Sequence, residues 1–195
     1  MIVTQFDQGY LKWAIPFLRS LTQVKETTPV FMSTMGLSEE EIVDLKALYP
    51  YLTIENISSF DKDPYHLPFG NYPKNHVMAP RKAMVLQDLM SRQVSEVYFL
   101  MDLDLYFNQN ISCLKDQLKT KDLGILHREN LEEKRRISSS IVCVSQGAKQ
   151  VVDQWVSYLR SSDVLWGIEP WAWWWDQVTL LKAVNKSPSF SYANL

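Results

Sequence analysis

The sequence predicts an α/β domain with a mainly parallel β-sheet flanked by helices. Strand-like and helix-like segments alternate along the 195 residues, and such alternation is typical of parallel strands connected by helices. A hydrophobic content of 46% is enough to bury one sizeable core. We therefore expect a single domain over residues 1–195, with its ligands at the carboxyl ends of the strands.

The first half of the chain is predicted to contain three strands and two helices. The second helix has the clearest start signal, because Ser38 is a favourable N-cap and Glu41, three residues later, completes a capping box. It is expected to end at about Leu48, before Pro50. The predicted strands are residues 2–6, 29–35 and 52–57, and the first predicted helix is residues 10–23.

A long loop is predicted between the third strand and the next helix. Residues 60–80 contain four prolines and two histidines, and long loops in compact domains are often functional. Residues 81–92 carry apolar side chains at helical spacing, which predicts a helix. The later predicted elements are strands at residues 97–107, 123–127 and 140–145, and helices at 148–159 and 171–184.

Two carboxylates interrupt the apolar stretch of residues 97–107. Asp102 and Asp104 are two positions apart, and such residues share one face of a strand, so we expect them about 6 to 7 Å apart along the strand. Two anions this close in an apolar wall need a cation between them or an open strand end. Their oxygens suit Mg²⁺ or Mn²⁺, whose open positions usually take substrate phosphates. The pair therefore indicates a metal site for a phosphate-bearing substrate.

Composition limits the classes of partner. The net charge is −2 and the basic residues are spread along the chain, so the sequence shows no basic footprint for nucleic acid. It contains no apolar run of 18 residues and no leader-like N-terminus. Cys113 and Cys143 are its only cysteines, which favours reduced thiols over a zinc site. We expect a soluble, cytoplasmic protein without an integral membrane segment.

Five segments, taken in order, resemble a known family. They are residues 3–10 (VTQFDQGY), 79–83 (APRKA), 98–106 (YFLMDLDLY), 138–144 (SSSIVCV) and 175–181 (WDQVTLL). Together they are similar to the nucleotide-diphospho-sugar transferases, glycosyltransferases of the GT-A fold, and are nearest to the family 8-like branch. The resemblance covers nearly the whole chain.

The resemblance implies a hexosyltransferase that moves a sugar from a nucleotide-diphosphate donor, a UDP-sugar, to a hydroxyl acceptor. A glycan, a lipid-linked sugar or a protein would serve as the acceptor. It also implies that Mn²⁺ or Mg²⁺ on Asp102 and Asp104 stabilises the charge on the departing diphosphate. Arg81, or Lys82, is expected to add a charge-assisted contact to the same phosphates.

The first segment and the last segment supply the remaining candidate residues. In the first, Thr4, Gln5, Phe6 and Tyr10 are expected to hold the nucleotide. In the last, Asp176 and Gln177 follow the aromatic run of residues 171–175 and are the predicted catalytic residues. Sugars pack their C–H faces on aromatic rings while their hydroxyls bind carboxylates and amides. Asp176 would act as a base if the reaction inverts configuration, or would position the sugar if it retains configuration.

The chain departs from the family pattern at its C-terminus, and two alternatives follow. Family 8-like enzymes usually take a third metal ligand from a C-terminal histidine motif, which has no match here. The domain is therefore also consistent with a degenerate, non-catalytic GT-A domain that binds a glycan or a partner protein. The second alternative is a phosphatase of the haloacid dehalogenase type, whose first strand also ends in an Asp-x-Asp pair but lies near the N-terminus.

Overall fold

A computed structural model describes residues 1–59, 62–65, 74–128, 137–161, 175–187, 190 and 192–195. Within these residues the chain forms seven strands and six α-helices. The strands are β1 (Ile2–Asp7), β2 (Val30–Met35), β3 (Leu52–Ile57), β4 (Val97–Met101), β5 (Leu123–His127), β6 (Ile137–Ser145) and β7 (Tyr192–Asn194). The helices are α1 (Leu11–Gln23), α2 (Glu39–Leu48), α3 (Lys74–Ser91), α4 (Ser112–Gln117), α5 (Lys149–Arg160) and α6 (Trp175–Asn185).

The strands form one sheet in the order β3-β2-β1-β4-β6-β5-β7. Strand β1 pairs in parallel with β2 and β4, and β2 pairs in parallel with β3. Strand β6 is antiparallel to both β4 and β5, whereas β7 is parallel to β5. The first four strands therefore form a parallel unit with their carboxyl ends on one edge, and the amino end of β6 reaches the same edge.

The sheet is covered by helices on both faces. Helices α3, α5 and α6 bury one hydrophobic cluster with residues such as Val3 and Leu100, and α1 and α2 bury a second one with Ile2 and Phe99. Neighbouring residues of β1 and β4 thus enter opposite layers, as the alternation of side chains along a strand requires. This confirms the predicted α/β class with helices flanking a mainly parallel sheet.

Several predicted elements have the predicted bounds, and others differ. Strands β3 and β5 match the predicted residues, and Ser38 and Glu41 form the predicted capping box. Strand β6 begins at Ile137 rather than at residue 140, and α4 and β7 were not predicted. Residues 171–174 of the last predicted helix lie outside the described residues.

The acidic strand is shorter than predicted. We expected residues 97–107 to form one strand, but β4 ends at Met101, and Asp102 and Asp104 lie in the turn that follows. The last paired residue of β4 is Met101, opposite Ile141 of β6. Carboxylates are costly inside a buried ladder, and the turn places both of them at the open edge of the sheet. Their shared location thus comes from the turn and not from a common strand face.

Helix α3 begins earlier than predicted. The prolines favoured a loop as far as residue 80, yet α3 starts at Lys74 and contains Pro80. A proline inside a helix removes one hydrogen bond and costs about 3 kcal/mol. The buried side chains of Ala83, Met84 and Leu86 on the same helix outweigh that cost. Tertiary packing therefore overrides the local signal here.

The segment after β4 is fastened to the end of α1 through Glu26. The Glu26 carboxylate accepts hydrogen bonds from the Ile111 amide at 2.8 Å and from the Thr28 amide at 3.0 Å. The Tyr106 hydroxyl also donates to Gln23 Oε1 at 2.6 Å. Burial by itself would raise the pKa of Glu26, but the hydrogen bonds from the Thr28 hydroxyl and from the Ile111 and Thr28 amides, together with Lys115, lower it to about 2.

Replacement of Glu26 by Gln should therefore destabilise the fold in a pH-dependent way. The lowered pKa means that the folded state favours the ionised form, so the stabilisation is complete above the ordinary pKa of 4.5 and disappears as the pH falls toward 2. At pH 7 we expect a loss of about 2 to 3 kcal/mol in the free energy of unfolding, measured by urea denaturation. The difference between the variant and the parent should shrink as the pH falls below 4.5 and should vanish only near pH 2.

The exposed Glu40 provides the matched control, and Glu40→Gln should change the unfolding free energy by less than about 0.5 kcal/mol. A loss for Glu26→Gln that stays constant between pH 7 and pH 3 would contradict the ionised role of Glu26.

Candidate active site

A cavity of about 530 Å³ opens at the carboxyl ends of β1 and β4. Its wall takes residues from the end of β1 and the start of α1, from the turn after β4, from β6, from α3 and from the start of α6. The lining residues are Gln5, Phe6, Asp7, Tyr10, Trp13, Lys82, Met101, Asp102, Leu103, Asp104, Arg128, Ser138, Ser139, Ser140, Asp176 and Gln177. This position agrees with the general location of ligand sites in open α/β sheets.

Asp102 and Asp104 both line the cavity, as the sequence predicts. The Asp102 amide donates to the Ser140 carbonyl at 2.9 Å, which fixes the start of the turn against β6. Its side chain is 36% exposed, and the Asp104 residue is exposed. Solvent access at the sheet edge explains how two neighbouring carboxylates are tolerated.

Lys82 is the centre of the charged network in the cavity. Its Nζ lies 3.0 Å from Asp102 Oδ1 and 3.0 Å from Asp176 Oδ2, so one ammonium group bridges two carboxylates. The same Nζ donates to the carbonyl and to the hydroxyl of Ser139, at 3.1 and 3.0 Å. Residues from α3, β6, α6 and the turn after β4 are thereby held at one point.

The surroundings of Lys82 keep it positively charged. Burial by itself would lower the pKa of Lys82, but the carboxylates of Asp102 and Asp176 outweigh it and raise the pKa above the usual lysine value. An uncompensated charge at this depth would be costly, so the three groups depend on one another.

Asp176 is buried at the start of α6. The Ser139 hydroxyl donates to Asp176 Oδ2 at 2.6 Å, and the Gln177 amide donates to Oδ1 at 2.9 Å. The Trp155 indole donates to the Asp176 carbonyl at 3.0 Å, which fixes the backbone as well. Asp176 is thus a rigidly held anion that faces the cavity, and Gln177 beside it is half-buried in the same wall.

Arg81 is placed differently from its neighbour Lys82. Its Nε lies 2.8 Å from Asp63 Oδ2, and both side chains are 0% exposed. Its Nη2 also donates to Ser33 Oγ at 2.9 Å, and the guanidinium lies 5.2 Å from the centre of the Tyr65 ring. Arg81 does not line the cavity. Of the two cations that the sequence offered for a diphosphate, the cavity therefore contains Lys82.

Three of the four residues predicted to hold the nucleotide line the cavity, at or just after the end of β1. Gln5, Phe6 and Tyr10 line the cavity, and Tyr10 is 44% exposed. Thr4 is buried in the sheet and is absent from the lining. Its hydroxyl has no hydrogen-bond partner among the described residues.

Two lining residues were not singled out from the sequence. Trp13 is 43% exposed and lies one helical turn after Tyr10, so the spacing of the two aromatics was an available signal. Arg128 directly follows β5, and only the antiparallel pairing of β5 with β6 shows that this strand end reaches the cavity. The three serines of the matching segment 138–144, Ser138, Ser139 and Ser140, lie in β6 and line the cavity.

The donor set at the open edge is compatible with a hard divalent cation. Asp102 and Asp104 offer carboxylate oxygens, which are the ligands that Mg²⁺ and Mn²⁺ prefer. Among the described residues, no group of three or more His, Cys, Asp and Glu side chains could hold a metal ion. The Nδ1 atom of His127, for example, forms a hydrogen bond with the Tyr192 hydroxyl at 2.9 Å. Two carboxylates fit an ion that takes its other ligands from water and substrate.

Comparisons with known proteins relate the chain to solved structures only. Neither the protein family models nor the curated protein sequences give a match. The glycosyltransferase GlyE of Streptococcus pneumoniae TIGR4 matches with a TM-score of 0.64 and 8% identity over 100% of this chain and 44% of GlyE. The bifunctional glycosyltransferase WbbM matches with a TM-score of 0.64 and 10% identity, over 100% of this chain and 38% of WbbM.

A third structure is that of the galactosyltransferase LgtC in complex with donor and acceptor sugar analogues. It matches with a TM-score of 0.58 and 11% identity, over 99% of this chain and 72% of LgtC. These similar structures are glycosyltransferases of the GT-A type. The chain has the GT-A fold.

The GT-A fold confirms the fold that the sequence motifs implied. Identities of 8 to 11% show the fold alone, and the family 8-like branch stays a prediction. The acidic pair follows the fourth strand of the sheet, whereas the pair of a haloacid dehalogenase-type phosphatase would follow the first strand. The chain spans 44% of GlyE and 38% of WbbM. Within the described residues, no helix is long and apolar enough to cross a membrane.

Proposed function

We propose that this protein is a metal-dependent glycosyltransferase that moves a sugar from a nucleoside-diphosphate sugar, a UDP-sugar, to a hydroxyl acceptor. The observation that carries the proposal is the cavity that gathers Asp102 and Asp104 beside the Lys82–Asp176 ion pair and three serine residues. The similar LgtC structure holds donor and acceptor sugar analogues, which supports the same two kinds of ligand here. The acceptor would be a glycan, a lipid-linked sugar or a protein.

The donor diphosphate would lie beside Asp102 and Asp104. In Asp102, Oδ1 is paired with Lys82 and Oδ2 has no hydrogen bond to a described residue, so Oδ2 is available to a metal ion. Mn²⁺ or Mg²⁺ bound there would neutralise the charge that develops on the leaving diphosphate. Lys82, held beside Asp102, adds positive potential on the same side of the cavity.

The nucleoside would occupy the end of the cavity at β1. The exposed Tyr10 ring offers a stacking surface for a base, and Gln5 and Phe6 line the cavity next to it. Thr4 is not part of this proposed subsite, because it lies outside the lining.

Asp176 and Gln177 would bind the donor sugar. In the transfer, the bond between the anomeric carbon and the diphosphate oxygen breaks, and the acceptor oxygen forms a bond to that carbon. Asp176 would take the acceptor proton in an inverting reaction and would position the sugar in a retaining one. The contacts of Asp176 favour positioning, because both carboxylate oxygens are already held, Oδ2 by Lys82 and Ser139 and Oδ1 by the Gln177 amide.

Asp104→Asn tests the metal part of the proposal. The exposed Asp104 carboxylate can be removed without disturbing the Lys82 network. We expect calorimetry to show at least about tenfold weaker UDP binding in the presence of Mg²⁺ or Mn²⁺, and no difference in EDTA. Asp44→Asn, at an exposed position on α2, is the matched control and should bind like the parent. UDP binding that is indifferent to divalent ions and to Asp104→Asn would contradict the metal site.

The non-catalytic alternative has one observation in its favour, namely that the described residues offer no cluster of three metal ligands. The two functions differ in turnover. An active transferase should hydrolyse or transfer the sugar of a UDP-sugar in the presence of Mn²⁺, at a rate that falls in EDTA. UDP binding without turnover on any donor tested would favour the binding domain.

A further inference from the structure

The strands at the cavity define an order of subsites. The sheet places β1, β4, β6 and β5 next to one another, and each contributes lining residues at or near its end. Neighbouring strands are about 4.8 Å apart, so the ends of β1 and β5 are separated by about 14 Å across the sheet. Tyr10 follows β1, Asp102 follows β4, Ser139 lies in β6, and Arg128 follows β5.

The proposed function assigns a part of the reaction to each position in this order. The nucleoside lies at β1, the diphosphate at β4, and the donor sugar between β6 and Asp176. Arg128 lies beyond the sugar, at the end of the cavity opposite the nucleoside. With the nucleoside, the diphosphate and the donor sugar assigned to the other three strands, the group nearest to Arg128 is the acceptor.

The charged side chains of the lining are mostly acidic, and Arg128 and Lys82 are its two basic residues. Four lining residues are acidic, namely Asp7, Asp102, Asp104 and Asp176, and Lys82 is already paired with two of them. Arg128 is exposed and forms no ion pair with any of the described residues. A guanidinium group binds phosphate or carboxylate through two parallel hydrogen bonds.

We propose that Arg128 forms an oxyanion subsite for the acceptor, and that the acceptor carries a phosphate or carboxylate group close to the hydroxyl that receives the sugar. This inference rests on the proposed function, since that function defines the donor end of the cavity. It makes Arg128 a specificity-determining residue.

Binding of three simple sugars to the full chain with UDP and Mg²⁺ tests the subsite. The probes are glucose 6-phosphate, glucuronate and glucose, and the Kd of each is measured by NMR titration. We expect at least one anionic sugar to bind about tenfold or more tightly than glucose. The sugar that gains affinity distinguishes a phosphate subsite from a carboxylate subsite.

Substitution of Arg128 then tests whether this residue causes the preference for an anionic sugar. Arg128→Gln should abolish the preference for the anionic sugar while UDP affinity stays within about twofold, and Arg128→Lys should keep part of it. Arg19→Gln, at an exposed arginine on α1, is the matched control and should behave like the parent. Equal affinity of the parent for all three sugars, or a preference that survives in Arg128→Gln, overturns the subsite.

UDP binding distinguishes a failure of the acceptor subsite from a failure of the proposed transferase function. A fall of tenfold or more in UDP affinity on Arg128→Gln would show that Arg128 contacts the donor, which overturns the acceptor subsite and leaves the proposed transferase intact. If the parent itself does not bind UDP in the presence of Mg²⁺, the proposed function fails, and the acceptor subsite fails with it.

Discussion

Asp176→Asn is expected to lower the rate of sugar transfer by at least about 100-fold while UDP affinity stays within about twofold. Asparagine keeps the size of the side chain and removes the charge that Lys82 and Ser139 hold toward the cavity. Asp102 and Asp104, which would bind the diphosphate through the metal, are not altered. The measurements are kcat for transfer from a UDP-sugar and the Kd of UDP with Mn²⁺.

The fold should survive this substitution, because Lys82 keeps Asp102 as a partner. Thermal unfolding followed by circular dichroism checks this point. Asp153→Asn removes an exposed carboxylate paired with Lys149 on α5 and should leave kcat unchanged. Transfer at the parental rate by Asp176→Asn would exclude a catalytic or positioning role, and loss of folding would show that Asp176 is mainly structural.

Arg81→Met should have the largest effect on stability, a loss of about 3 to 5 kcal/mol in the free energy of unfolding. The substitution leaves the buried Asp63 carboxylate without its cation and removes the hydrogen bond to Ser33. Urea denaturation measures the loss. Arg81 does not line the cavity, and it contacts the proposed nucleoside subsite through a 3.4 Å hydrogen bond from Nη1 to Gln5 Oε1. UDP affinity should therefore fall by less than about tenfold at temperatures where the variant is folded.

Arg92→Met is the matched control near the end of the same helix. Arg92 forms an exposed ion pair with Asp88 at 2.9 Å, so its loss should cost less than about 1 kcal/mol. Similar costs for the two variants would contradict the buried role of Arg81. A tenfold fall in UDP affinity for a folded Arg81→Met protein would restore Arg81 as a diphosphate contact.

The sequence by itself determined the elements whose signals are local. The capping box at Ser38 and Glu41, the apolar strand β5 and the alternation along the chain each depend on neighbouring residues, and each is found in the structure. The pair Asp102 and Asp104 was also identified locally, since two carboxylates beside an apolar strand are unusual in any fold. The metal that they would bind stays a prediction.

Only the tertiary structure distinguished Arg81 from Lys82. Consecutive helix residues differ by about 100° in direction, so adjacent cations face different surroundings, and the sequence could not show which one faces the cavity. The deciding partners lie outside helix α3. Asp63, the partner of Arg81, precedes the helix, and Asp176, the partner of Lys82, lies much later in the chain at the start of α6.

Contacts between residues distant in sequence also explain the end of β4, the start of α3 and the position of Arg128. The turn that carries Asp102 ends β4 after its last pair with β6, packing of α3 keeps Pro80 inside a helix, and the antiparallel pairing of β5 with β6 brings Arg128 to the cavity. Each is a balance between a local preference and contacts made by residues distant in sequence. Local patterns therefore located the chemistry, and long-range pairing and burial decided which side chains share one cavity.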